Sequence, residues 1–110
     1  MSKPKTLGEL QAPFELTHTK NRRTWDGVAR DCEKIVKFLG KERAVDSVFK
    51  ADVAALDAWM VEFGGYSDAT RKGVIKTGSR WYKWMEDFEH IEFNFNPFLR
   101  YLSPKRQRLS

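Results

Sequence analysis

The chain has one cysteine, Cys32, and no apolar run long enough for the hydrophobic stretch of a signal peptide or for a membrane span. A single thiol excludes an internal disulfide, and a reducing cytoplasm is the expected compartment. His18 and His90 are isolated in the sequence, so no spacing resembles a zinc site. A glycine-rich phosphate loop is missing as well. No metal, cofactor, small-molecule substrate or membrane partner is therefore expected. The alternation of a half-buried strand and internal repeats are also absent, which leaves an all-α class.

What is present fits one small folded domain. The 110 residues are 41% apolar and 32% charged, well away from the composition of disordered chains. The net charge of +5 favours an anionic partner, and its distribution says more than its sum. Lys3, Lys5, Lys20, Arg22, Arg23 and Arg30 enrich the first third, whereas residues 31–62 are balanced to slightly acidic. Between Arg71 and Lys83 every charge is positive. The acids Glu86, Asp87, Glu89 and Glu92 follow, and then the basic residues Arg100, Lys105, Arg106 and Arg108.

Residues 1–18 mix Pro4, Gly8 and Pro13 with polar residues in no sustained period and read as a mobile arm. Residues 19–102 read as the helical domain, and 103–110 as the start of a linker. A first helix runs from Arg22 to Leu39, where Trp25, Val28, Cys32, Ile35 and Leu39 recur at three- and four-residue spacings, and Gly40 stops it. A second spans about 51–63, with Val53, Leu56, Trp59, Met60 and Phe63 on one face before Gly64 and Gly65. The third opens at Ser67 or Asp68 and continues to about Phe88. Asn96-Pro97 restarts a short fourth helix to Leu102.

On the third helix, Val74, Ile75, Trp81, Tyr82, Met85 and Phe88 share an apolar arc of about 140° at 3.6 residues per turn. Lys72, Lys76, Arg80 and Lys83 fall on an adjoining arc of about 80°, with no acid expected among them. Like charges at these spacings cost a few tenths of a kcal/mol per pair unless an anion neutralises them. Ser67 and Thr70 add hydroxyls beside the free amides of the helix start, a setting that favours a phosphate oxygen. A solvated face serving solubility accounts for the same stripe.

The stretch "ATRKGVIKTGSRWYKWMEDFEHIEFNFNPFLRYLSPK" resembles the end of the core-binding domain of tyrosine recombinases, the phage integrase and Xer-type family. Thr70, Trp81, Tyr82, Trp84, Met85, Asn96, Pro97 and the run Ser103 to Lys105 stand at matching places. "RRTWDGVARDCEKIVKFL" is similar to the family's first helix, and "VFKADVAALDAWM" to its second, with Phe49 where a capping Ser or Thr is common. The resemblance implies an orthogonal four-helix, SAM-like bundle that lies on one side of duplex DNA and is joined by a basic linker to a catalytic domain. It implies DNA contact by Arg22, Arg23 and Thr24, by Ser67, Thr70, Arg71, Lys72, Lys76 and Arg80, and by Lys105 and Arg106 in the linker. The family's catalytic arginines, lysine, His-x-x-Arg and nucleophilic tyrosine have no counterpart here, so the expectation is a non-catalytic, monomeric DNA-binding domain whose partners are duplex DNA and the catalytic domain of the same parent chain. The alternative is a helical protein-interaction or regulatory module with a solvating basic face.

Overall fold

Eighteen residues from Arg22 to Leu39 form the long helix α2, whose apolar stripe buries Val28, Cys32 and Ile35. The computed structural model describes residues 5–17 and 22–102, and for Arg22 and Arg23 the backbone alone. Before α2 in sequence stands α1, Leu7–Leu16; after it come α3, Lys50–Trp59, α4, Asp68–Asp87, and α5, Pro97–Leu102. A 3₁₀ turn at Val45–Ser47 precedes α3, and a π-helical turn at Met60–Gly64 extends it. Among the described residues there is no strand, only one isolated bridge between Thr6 and Ala44, so the chain is all-α. No helix among them is long and apolar enough to cross a membrane.

The expected mobile arm is corrected by α1. Thr6 caps this helix: its Oγ1 accepts from the Glu9 amide at 3.2 Å, while Glu9 Oε1 accepts from the Thr6 amide at 2.9 Å. Leu7, Leu10 and Phe14, at the i, i+3, i+7 spacing of one helical face, are all buried. Gly8, which reads as a breaker, is a contact point instead. Its amide donates to the Lys41 carbonyl at 2.8 Å, and a Cβ there would come within 2.8 Å of that same oxygen. With Leu7 N to Arg43 O at 3.0 Å and Val45 N to Lys5 O at 2.9 Å, the segment is stitched to the loop after α2. The rest of the arm, residues 1–4 and 18, lies outside the described residues, as does the expected linker, 103–110.

The other expected helices stand close to where they were placed, with two local corrections. Gly40 and Gly65 leave α2 and the π-helical turn with φ of 102° and 62°. Phe63, expected on the buried face of the second helix, is 74% exposed because the wider π-helical turn rotates it out of phase. Phe88, expected on the apolar arc of α4, is the residue that ends the helix, and it is 59% exposed, edge-on to Trp84.

Helix α4 is the centre of the core. Val74, Ile75, Trp81, Tyr82 and Met85 are buried on it. Trp81 stacks on Phe14 of α1 at 5.8 Å and donates its indole N–H to the Leu10 carbonyl. Tyr82 donates its hydroxyl to the Val45 carbonyl at 2.8 Å. Gly78 lets the Phe98 ring of α5 lie directly on the α4 backbone, where a Cβ would sit 2.4 Å from ring carbons. Asn96 fixes the same crossing: its Oδ1 accepts from the Leu99 amide at the start of α5, and its Nδ2 donates to the Ser79 carbonyl at 3.0 Å.

Candidate nucleic-acid interface

The polar side of α4 begins at a cap. Ser67 Oγ accepts from the Thr70 amide at 3.2 Å and bonds to Thr70 Oγ1 at 3.0 Å, so these two hydroxyls serve the helix start and each other. Asp68 puts a carboxylate in the same first turn. One of the amides expected to be open to a phosphate is therefore occupied, and the nearest fixed charge is negative.

Arg71 stands apart from the stripe. Its Nε donates to Asp57 at 2.8 Å, one terminal nitrogen to Asp68 at 2.8 Å, and the other to the Tyr66 carbonyl at 3.2 Å. Asp57 accepts a second bond, from the Tyr101 hydroxyl at 2.6 Å, so one carboxylate ties α3, α4 and α5 together. The bond to Asp57, together with burial and that carboxylate's charge, pushes the Tyr101 hydroxyl up to about 12. On the helical wheel Arg71 falls about 100° from Thr70, inside the apolar arc, which accounts for its inward turn.

The stripe itself is corrected in composition. Asp87 falls within its arc and lies 3.6 Å from Lys83, and Lys72 lies 3.5 Å from Asp68. Lys76 and Arg80 are exposed and have no ion pair among the described residues. They are one turn apart on α4.

The neighbouring helix α2 carries three further cations, of which the sequence alone singles out only Arg30, among the basic residues of the first third. Arg30, Lys34 and Lys37 recur at i, i+4, i+7 on α2, opposite its apolar stripe, and line an open cleft with Glu33 and Tyr66. Lys34 holds its ammonium 5.3 Å from the Tyr66 ring centre, beside the residue that caps α4. Farther along, Thr77 donates to Asp31 at 2.6 Å, which places the residue after Lys76 against the residue after Arg30. The α2 cations thus line a cleft on a helix that packs against α4. The i, i+4, i+7 spacing was readable in the sequence, but Arg30 counts with the basic first third, and the near-neutral net charge of residues 31–62 concealed Lys34 and Lys37.

Thr24 is exposed in the first turns of α2. The Arg22 and Arg23 side chains, and Lys105 and Arg106, lie outside the described residues. Of the tyrosines, Tyr82 is wholly buried, and that burial raises its hydroxyl pKa; burial likewise pushes the Cys32 thiol up, which leaves it a small apolar group of the core. Comparison with models of known protein families, with curated proteins and with solved structures returns no match.

Proposed function

We propose that this chain is a duplex-DNA-binding domain of the kind found in tyrosine recombinases, a SAM-like helical bundle that holds the phosphate backbone while a separate catalytic domain carries the chemistry. The observation that carries the reading is the pair Lys76 and Arg80, exposed on α4 with no ion pair among the described residues, while Arg30, Lys34 and Lys37 line an open cleft on the adjacent helix α2. Such a concentration of like charge is mildly self-repelling and is relieved by a polyanion. The order and spacing of the recombinase-like segments support duplex DNA over other polyanions.

Arg71 serves in this reading as a structural cation that fixes the start of α4, and Ser67 and Thr70 act as its cap. The DNA-facing set is then Lys76, Arg80, Arg30 and Lys37, with Lys34 held beside them by Tyr66. Four neutralised phosphates correspond to a slope of log K against log salt near about −3.6. One domain of a two-domain clamp has only part of the interface, so its affinity at physiological salt is expected to be about micromolar or poorer. Fluorescence anisotropy with a labelled duplex over a range of salt concentrations tests this. A salt slope of about that size supports the proposal. No binding at low salt, or binding indifferent to salt, would instead favour a helical protein-interaction module with a solvating basic face.

A further inference from the structure

We propose that two copies of this chain pair through the loop between α4 and α5, with Phe93 of each copy seated in an aromatic groove of the other. The groove is open, about 440 Å³, and is walled by Phe49, Ala51, Phe95 and Pro97 with Lys50 and Arg100 on its rim. Phe49 is 56% exposed and meets Phe95 edge-on at 5.9 Å, so the wall is a fixed apolar surface left open to solvent. Neither Lys50 nor Arg100 has an ion pair among the described residues.

The neighbouring loop presents the complement. Phe93 is 80% exposed, the most exposed of the large apolar side chains described, and Glu92 and Glu89 accompany it. The loop is held in shape. Glu89 and Asn94 adopt φ of 62° and 68°, the His90 amide donates to the Met85 carbonyl at 2.8 Å, and the Asn94 amide donates to Glu86 Oε2 at 2.8 Å. A pre-shaped aromatic knob with two carboxylates therefore stands next to an aromatic groove with two cations. A knob and a groove that adjoin on one surface are self-complementary under a two-fold axis, because each copy offers both halves. The charges match in both halves of that contact. The pairing does not depend on DNA binding: α5 meets α4 at Gly78, about 160° round the helix from Lys76 and Arg80. It is an alternative to the monomer expected from the sequence.

Sedimentation equilibrium on the full chain tests the pairing. The mass should rise with concentration from one copy of 12.9 kDa toward two, and salt should weaken the association. Phe93→Ala should raise the dissociation constant by about 30-fold or more, as truncation of a central aromatic anchor does. A Glu89→Lys, Glu92→Lys variant and a Lys50→Glu, Arg100→Glu variant should each stay monomeric alone and pair when mixed, since both halves of the mixed contact are again of opposite charge. All these side chains are exposed on the knob or groove surface rather than in the core, so unchanged thermal melting verifies folding. A monomer at all concentrations up to about 1 mM overturns the proposal, as does undiminished pairing of Phe93→Ala or failure of the mixture to pair. If Phe49→Ala weakens binding of a single-stranded oligonucleotide and leaves the mass unchanged, the groove belongs to a nucleobase and the pairing is rejected.

Discussion

Arg71 and Arg80 lie on one helix about two and a half turns apart, yet the molecule uses them in opposite ways. Arg71 turns toward the body of the domain, where Asp57, Asp68 and the Tyr66 carbonyl take up its donors. Arg80 is exposed, with Lys76 one turn before it, and neither is paired with an acid among the described residues. The inward side of α4 carries fold stability; the outward side carries charge that the fold does not consume. Charge counts alone treat all these cations alike, whereas the partners each one meets separate scaffold from interface.

The largest expected effect lies on the inward side. Trp81→Ala empties a fully buried site between α4 and α1 and should cost about 3–5 kcal/mol, read as a loss of melting temperature or of folding altogether. Gly78→Ala should come next. A methyl would meet the Phe98 ring at 2.4 Å, and overpacking of this kind costs about 1–3 kcal/mol, against a gain in helix propensity of about 1 kcal/mol. If Gly78→Ala stabilises the protein, α5 is not seated on α4 and the inward side is less committed than described.

Smaller and more specific is the bond that closes the Asp57 cluster. Tyr101→Phe removes one partly exposed hydrogen bond and should cost about 1 kcal/mol. Its pH dependence follows from the raised pKa. The Tyr101 hydroxyl ionises near 10 when unfolded and near 12 when folded, so its contribution is complete below pH 10 and fades as the pH rises through 12. The melting difference between the parent and Tyr101→Phe should therefore shrink across that window. A constant difference would mean that Tyr101 does not hold Asp57 in solution.

The outward side predicts the reverse pattern. Lys76→Ala and Arg80→Ala should each leave melting within about 0.5 kcal/mol of the parent and reduce the salt slope of DNA binding by about one unit. Arg71→Ala should lower the melting temperature and leave the slope nearly unchanged. Interchanged outcomes would break the division between the two sides of α4.

Much of the fold was legible because α2, α4 and most of α3 keep an apolar period over many turns, and because Gly40, Gly65 and Ser67 stand where helices stop and start. Helix α1 was hidden by its punctuation: Gly8 and Pro13 read as breakers, although Pro13 sits inside a capped helix and Gly8 marks a close backbone approach. The inward turn of Arg71 was half legible. Its wheel angle lies within the apolar arc, but its partner Asp57 belongs to a different helix, and no local pattern reveals such a contact. The cluster of Lys34 with Tyr66 was illegible for the same reason, since it depends on how α2 crosses the start of α4.

The smallest expected effect tests whether the α2 cations belong to the outward side at all. Glu33 lines the cleft with Arg30, Lys34 and Lys37 and is the one acid among them. If DNA passes along this cleft, that carboxylate repels a phosphate across water, and a charge about 10 Å away in that medium is worth about 0.4 kcal/mol. Glu33→Gln should then tighten DNA binding about twofold at low salt, with the gain fading as added salt shortens the screening length. The change is isosteric and exposed, so melting should stay where it is. A gain at low salt that vanishes near physiological ionic strength places DNA against α2 as well as α4. An affinity unmoved at every salt concentration confines the interface to Lys76 and Arg80, and the expected salt slope falls to about −1.8.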